Sequence, residues 1–206
     1  MCIRDRGYAV CHSTNPYNRA GDYGTSDLNE TNAFSAAFVL QSPFSRSPNK
    51  AVSILAGGWA LNGIGQIGSG WPFTVTDSTD PENVGTISEE RPAEVGDPNK
   101  GTGLHTPAQW FNTSAFALQQ PYTYGNEKRN TLTSDGTKDL DLSVFRTFHI
   151  GLGESRFFEF RAESFNLLNR VMFAIPNAAL GGTNFGAVTS QQNSPRQLQM
   201  GLKFNY

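Results

Sequence analysis

Apolar and polar positions alternate strictly through residues 196–206, where the chain ends. The apolar set is Leu198, Met200, Leu202, Phe204 and Tyr206, and the residues between them are polar or glycine. A period of two is that of a β-strand whose two faces meet different surroundings. Because chain ends usually fray, this pattern predicts a last strand that is held in a sheet.

The same period recurs upstream and predicts further strands. No segment combines a 3.6-residue period with helix caps, so no long helix is predicted, and the apolar piece 167–173 is compatible with one helical turn. The predicted strands are residues 7–13, 33–41, 58–76 (in two pieces), 138–150, 156–167 and 196–206.

The connections between these strands alternate in length. They are long at 14–32, medium at 42–57, very long at 77–137, very short at 151–154 and long at 169–195. A long structureless loop is rare in a compact soluble domain, whereas short periplasmic turns and long extracellular loops alternate in transmembrane β-barrels. The sequence therefore predicts an all-β fold: an antiparallel meander of about six strands, forming an incomplete portion of a transmembrane β-barrel with long extracellular loops.

The second face of each strand distinguishes a membrane barrel from a soluble sheet, because strands alternate in both. In residues 156–167 that face carries Glu159, Arg161 and Glu163, a row of mixed charge that suits a hydrated lumen. The first face is rich in Phe and suits lipid. The strands also reach the 9–11 residues that cross the hydrocarbon layer at a tilt of about 45°.

Arg146 is the exception on the lipid-like face. An arginine at the membrane midplane costs about 2–4 kcal/mol. Two arrangements would avoid this cost: a position low enough for the side chain to reach the periplasmic rim, or a bulge near Phe145 that exchanges the two faces.

Composition narrows the possible partners. The net charge is −2 and charged residues make up only 17% of the chain. The overall charge therefore does not favour binding to nucleic acid. The two cysteines do not form a disulfide framework, and the chain start lacks a secretion signal. Residues 1–6 (MCIRDR) are interpreted as a non-native start, and residues 7–206 as one barrel segment.

Three patterns that could carry chemistry have simpler structural explanations. Residues 63–68 match GxGxxG, but the following Ser-Gly-Trp-Pro is not the helix start that a dinucleotide site needs. Glu159 and Glu163 could be paired catalytic carboxylates, but Arg161 between them would keep both ionised. The histidines lack metal-ligand spacing: His12, His105 and His149. We therefore predict no enzyme, cofactor or metal site.

The long loop offers two further candidates. Four acidic residues lie close together in it: Glu89, Glu90, Glu94 and Asp97. These residues could indicate a calcium-binding site, but their spacing is not that of an EF-hand loop. Trp110 and Phe111 could contact a solute on the extracellular side, or they could pack the loop onto the barrel rim.

Several runs resemble the C-terminal barrel region of Oar-like TonB-dependent outer-membrane receptors. The most specific are FRAESFNLLN and PRQLQMGLKF, and SGWPFTV is the next. The resemblance extends from about Tyr8 to Tyr206. In that family the barrel assembly machinery reads a last strand with a terminal aromatic residue and alternating apolar residues. The resemblance implies that this signal is Leu198, Met200, Leu202, Phe204 and Tyr206.

The resemblance also implies a function. Intact receptors carry an N-terminal β-domain, a plug and a segment that contacts the TonB energy-coupling complex. These parts have no counterpart in this sequence, so the chain is expected to be a piece of the 22-stranded receptor barrel. Its expected partners are outer-membrane lipid, the assembly machinery, TonB through the missing parts, and an unidentified solute.

Two alternatives remain open from the sequence. One is a passive, porin-type barrel in the same membrane. The other is a secreted soluble β-sandwich that binds carbohydrate through Trp71 or Trp110. A sandwich would bury Leu198, Leu202 and Phe204 against a second sheet, whereas a barrel segment would leave them facing outward.

Overall fold

The computed structural model describes residues 14–15, 17–77, 79–83, 90–150 and 156–206, which fall into two compact units. In chain order the strands are β1 (Ala33–Gln41), β2 (Trp59–Gly68), β3 (Pro72–Phe73), β4 (Thr76–Asp77), β5 (Ala93–Glu94), β6 (Phe116–Ala117), β7 (Leu132–Thr133), β8 (Lys138–His149), β9 (Phe157–Phe165), β10 (Ala179–Leu180) and β11 (Gln197–Asn205). Helix α1 is Lys50–Ala56, and short 3₁₀ turns occupy Arg19–Asp22, Pro43–Arg46 and Thr113–Ala115. None of the helices among these residues is long and apolar enough to span a bilayer.

The first unit, here called the sheet unit, comprises residues 32–68, 137–172 and 193–206. Its five long strands pair antiparallel in the order β1-β2-β8-β9-β11. The all-β antiparallel prediction is confirmed, and four predicted strands coincide with β1, β8, β9 and β11 to within two residues. Segment 58–76 gives β2, while its second piece forms only β3 and β4. The predicted strand 7–13 lies outside the described residues.

The strand register gives the sheet one apolar face. Phe204 pairs with Phe158 and Leu202 with Phe160, and the same alignment continues through β8, β2 and β1. Alternating side chains place these residues together on this face: Phe34, Phe38, Leu40, Trp59, Leu61, Ile67, Leu140, Leu142, Val144, Phe148, Phe158, Phe160, Leu198, Met200, Leu202 and Phe204.

This apolar face is exposed, which contradicts the soluble-sandwich alternative. Leu198, Leu202 and Phe204 are 71%, 77% and 52% exposed, although a sandwich would bury them. A continuous apolar surface of this size in a folded protein marks a contact with lipid or another protein. The opposite face is mostly polar along β8, β9 and β11, as the alternation predicts, with Phe145, Phe157 and Phe165 as its apolar members.

Gly63 allows the apolar face to pack closely across β2. It pairs with Phe38 on one side and Leu142 on the other. A Cβ atom on Gly63 would lie 2.7 Å from the Leu142 Cδ2 atom and closer still to the Phe38 ring. The GxGxxG glycines therefore belong to a close-packed strand, which agrees with the interpretation given to them from the sequence.

Helix α1 lies in the connection between β1 and β2 and is held by Arg146. The Asn49 side chain accepts a hydrogen bond from the Ala51 N–H at 3.0 Å and caps the start of the helix. At the other end, the Arg146 guanidinium donates to the carbonyl oxygens of Ile54 and Leu55. A cation at the C-terminal carbonyls of a helix is favourable.

The position of Arg146 decides between the two arrangements expected for it. The β8 register runs without a break against both neighbours, so no bulge occurs near Phe145. Arg146 instead lies near the end of β8, and its guanidinium stacks 4.4 Å from the Phe148 ring and 5.5 Å from the Trp59 ring. The structure therefore supports a position near the rim.

The second unit, here called the loop unit, contains the described parts of residues 1–31, 69–136 and 173–192. In chain order these segments precede β1, connect β2 to β8 and connect β9 to β11. The described residues of the very long connection, predicted as a loop, instead belong to this compact unit. Short strand pairs hold it together: β3 with β7, β5 with β6, and β4 with β10.

The helical turn expected at residues 167–173 is wrong. This segment forms a turn in which Asn166 and Asn169 adopt positive φ values of 48° and 50°. The Leu167 N–H donates to the Leu140 carbonyl at 2.8 Å, and the Asn166 side chain donates to the Arg170 and Ser194 carbonyls. Side-chain hydrogen bonds of asparagine favour such a turn over a helix.

Candidate functional site

Three charged side chains form a row on the polar face of β9. Arg161 donates to Glu159 at 3.0 Å and lies 3.7 Å from Glu163. The Ser143 hydroxyl, on β8, donates to Glu163 at 3.3 Å. Lys203, on β11, pairs across the sheet with Glu159. This is a ladder of opposite charges that suits a hydrated surface, and its assignment to a barrel lumen stays a prediction.

The last strand presents the predicted assembly signal. Leu198, Met200, Leu202 and Phe204 lie on the apolar face, and β11 pairs with β9 along one edge only among the described strands. The Tyr206 ring stacks on Phe204 with centroids 6.2 Å apart. The strand therefore offers both an apolar face and an open edge for recognition, while recognition by the assembly machinery stays a prediction.

Trp110 and Phe111 lie in the core of the loop unit. They are 5% and 1% exposed. The Trp110 Nε1–H donates to the Thr133 carbonyl at 2.8 Å, and the Phe111 ring packs 5.3 Å from Phe185 and 5.7 Å from Phe116. Buried side chains cannot contact a solute directly. The geometry therefore supports packing within the loop unit, which neither sequence-based interpretation described.

The loop core joins distant parts of the chain. Seven buried apolar residues form it, with five more packed against them: Phe73, Val75, Trp110, Phe111, Ala115, Phe116 and Leu132, then Phe173, Ala178, Leu180, Phe185 and Val188. Gly186 makes room for it, because its φ of 81° suits glycine and an added Cβ would collide with the Thr113 side chain. Sequence reasoning missed this core because its apolar residues show no sustained period.

Arg91 fixes the segment before β1 to the rest of the loop unit. Its guanidinium pairs with Asp22 and donates to the Gly21 carbonyl at 2.8 Å and the Thr14 hydroxyl at 3.0 Å. Asn130 makes a similar link through its amide, which donates to the Thr25 carbonyl at 2.6 Å. Buried charged and polar groups are thus paired with partners far away in the sequence.

Two buried glutamates of the loop unit have raised pKa values. Burial raises the pKa of Glu127 from 4.5 to about 8, opposed by a hydrogen bond from the Val75 N–H. Burial also raises the pKa of Glu90 to about 8, and the neighbouring carboxylates of Glu82 and Asp80 add to this shift. Both glutamates therefore favour the neutral form at neutral pH.

Glu90 belongs to an acidic group that the sequence did not indicate. Carboxylate oxygens of Asp80, Glu82 and Glu90 lie within 4.8 Å of one another. Of the three acidic residues singled out in the sequence that the structure describes, Glu90 takes part in this group, whereas Glu94 and Asp97 do not. Asp97 accepts a hydrogen bond from the Asn99 N–H in a turn. Glu94 lies in β5, and Glu89 lies outside the described residues.

Each of the two histidines that the structure describes packs against an aromatic ring. His105 packs edge-on against Trp110 at 5.3 Å, in the loop unit. His149 packs 6.2 Å from Phe157, at the end of β8 in the sheet unit. His12 lies outside the described residues. Their contacts are those of ordinary aromatic packing partners.

A comparison with known proteins identifies a family that agrees with this geometry. No curated protein and no solved structure matches the chain. A family model for the outer membrane beta barrel domain matches residues 4–199, most of the chain. The match agrees with long antiparallel strands that have one exposed apolar face and one polar face. The chain therefore belongs to the outer membrane beta barrel domain family, whose members are located in the bacterial outer membrane.

Proposed function

We propose that the chain forms barrel wall and extracellular structure of a TonB-dependent receptor that takes up a solute across the outer membrane. The loop unit carries this proposal. Two of its segments, residues 69–136 and 173–192, fold around a common apolar core that is rich in aromatic residues. The resemblance of FRAESFNLLN and PRQLQMGLKF to Oar-like receptors supports the same function.

A folded loop unit favours selective uptake over passive diffusion. A general pore needs an open mouth, and extended loops suffice to form it. A receptor must hold a solute in a defined geometry, and preorganised structure lowers the entropy that binding costs. More than half of the residues that the structure describes lie in the loop unit, which exceeds what strand connection alone requires.

The sheet unit supplies the wall in this proposal. The apolar face contacts lipid, as an outward barrel surface must. The row of Glu159, Arg161 and Glu163 faces the lumen, where water surrounds the charges. Energy coupling through TonB and recognition of the last strand by the assembly machinery depend on the intact protein in its membrane.

Conductance distinguishes a receptor from a passive pore without knowledge of the solute. The protein as its gene encodes it is inserted into a planar lipid bilayer. A plugged receptor gives no steady conductance, and a variant without the plug gives a large one. Steady conductance from the intact protein would replace the receptor by a porin-type barrel.

Two single variants then test the assignment of the faces in the plug-free protein. Arg161→Gln removes a lumen cation and is expected to change the ion selectivity of the conductance. Leu202→Val is the matched control on the lipid side and is expected to leave selectivity unchanged. Equal selectivity in both variants would contradict the assignment of β9 charges to the lumen.

A further inference from the structure

The connection between β1 and β2, residues 42–57, exposes large apolar side chains. Ile54 and Leu55, on helix α1, are 66% and 75% exposed, and Phe44 and Val52 are exposed as well. Val52 and Leu55 are three residues apart, so they are neighbours on the helix surface. Apolar residues grouped on the surface of a folded protein mark a contact with lipid or with another protein.

The polar groups of the same connection are directed at one another. The Ser53 hydroxyl donates to the Ser45 carbonyl at 3.0 Å, and the Ser45 hydroxyl accepts from the Gly58 N–H at 2.9 Å. The Ser42 hydroxyl donates to the Ala56 carbonyl. A loop in water has no need to satisfy its polar groups internally, whereas in lipid each unsatisfied group is costly. The connection thus has the arrangement that suits a place with little water.

Two side chains from the apolar face of the sheet hold the end of α1. The Trp59 Nε1–H donates to the Leu55 carbonyl at 3.0 Å, and the Arg146 guanidinium donates to the carbonyls of Ile54 and Leu55. Trp59 and Arg146 pair across β2 and β8 on that face. The last carbonyls of a helix have no partner within it. Here they are satisfied by the sheet, which places the end of α1 on the apolar side.

Aromatic rings lie at the same end of the apolar face. The rings of Trp59 and Phe148 flank the Arg146 guanidinium, and the Phe158 and Phe204 rings lie 4.8 Å apart in the row that contains Phe148. Aromatic side chains are enriched at the two membrane–water interfaces, and arginine near a strand end reaches the headgroups. This end of the sheet therefore suits the level of the lipid headgroups.

We propose that α1 is an interfacial anchor, which inserts Ile54 and Leu55 among the acyl chains of phospholipids beside the sheet. The chain belongs to an outer-membrane barrel family, in which the apolar face of the wall contacts lipid. Because Trp59 and Arg146 join α1 to that face, the lipid contact continues from the strands onto the helix.

The charge of the connection agrees with a phospholipid surface. Residues 42–57 contain two cations, Arg46 and Lys50, and no acidic residue. Both cations are exposed. Interfacial segments bind through buried apolar area and through attraction of cations to anionic lipid. This inference goes beyond the proposed uptake function, because it holds equally in a passive barrel.

Quenching of a fluorescent label tests the surroundings of α1. Leu55→Cys is labelled with bimane in the protein as its gene encodes it, with the other cysteines replaced by serine, in vesicles of phosphatidylcholine and phosphatidylglycerol. The matched control is Asn205→Cys, at the same end of the sheet on the polar face of β11. Phospholipid with brominated acyl chains should quench the label at position 55 several-fold more strongly than the label at position 205. Aqueous iodide should give the opposite order.

Three results would overturn the proposal. Stronger quenching of the label at position 55 by iodide than by brominated lipid would place α1 in water. Protection of this label from both quenchers would place it against protein, such as a second copy of the chain. Equal quenching of the two labels by brominated lipid would remove the difference between the faces.

Folding of the labelled variants is checked by cooperative unfolding in urea. If Leu55→Cys does not fold, Ile54→Cys takes its place, since Ile54 is also exposed on α1. The outcome is independent of the conductance experiment. Steady conductance of the intact protein would refute the receptor and leave the expected quenching unchanged.

Discussion

Replacement of Phe111 by alanine tests whether the loop unit is a folded domain with a core. Phe111 is 1% exposed, and its ring centroid lies 5.3–6.0 Å from those of Phe73, Phe116 and Phe185. Removing a buried phenylalanine in such a cluster costs about 3–5 kcal/mol. Each 1.4 kcal/mol changes an equilibrium tenfold. The fraction of opened loop unit should therefore rise by at least about 100-fold.

Limited proteolysis of the folded protein in micelles measures this fraction. Cleavage follows the population of the open form when opening and closing are fast, so the Phe111→Ala variant should be cut at least about 100 times faster than the wild type. Tyr122→Ala is the matched control in the same unit, since Tyr122 is 79% exposed, and it should be cut at nearly the wild-type rate. A wild-type rate for Phe111→Ala would refute the core assigned to the loop unit.

Three further predictions concern a rim contact, a buried acid and a glycine. Arg146→Met removes the donor to the last carbonyls of α1 and should destabilise the sheet unit by about 1–2 kcal/mol in urea titration, with Arg146→Lys losing less. Burial raises the pKa of Glu127 from 4.5 to about 8. Between these two pH values the folded loop unit holds a proton on Glu127 that the unfolded chain has released. The free energy of unfolding of the loop unit should therefore fall as the pH rises from 4.5 to 8. Limited proteolysis as a function of pH should show this trend weakened in Glu127→Gln, and an unchanged trend would contradict it. Gly63→Val should reduce the yield of folded protein because of the nearby Phe38 ring, while Gly201→Ala, whose Cβ meets nothing within 4 Å, should not.

The long strands could be predicted from the sequence because their period is local. Residues 196–206 show which face is apolar without reference to any other part of the chain, and β8 and β9 behave in the same way. Pairing order then follows from the alternation of short and long connections. Arg146, the residue that broke the pattern, lies near the end of β8 on the apolar face, between Val144 and Phe148.

The loop unit could not be predicted because its contacts are distant in sequence. Strands β4 and β10 are two residues long and pair in parallel across a large part of the chain. Pairs of this length show no period that a sequence window can detect. Trp110 and Phe111 were recognised as unusual loop aromatics, but only the fold shows that they contact residues such as Phe173 and Phe185.

Helix α1 and the acidic group illustrate the same limit. A helix of seven residues is marginal alone, and the contact that holds its end comes from Arg146 in β8. In the acidic group, Asp80 and Glu82 lie close to Glu90, and a backbone hydrogen bond joins Asp77 to Glu90, a contact that sequence spacing alone does not predict. Tertiary contacts decide both features.

The central claim, that the sheet separates lipid from water, is tested by adjacent positions on β11. Leu202 lies on the apolar face and Lys203 on the polar face. Each is replaced by cysteine in the full-length protein and carries a spin label in outer-membrane vesicles. We expect the label at position 202 to be relaxed mainly by oxygen dissolved in the bilayer, and the label at position 203 mainly by a water-soluble nickel complex. Equal accessibility of both labels to the nickel complex would contradict the account.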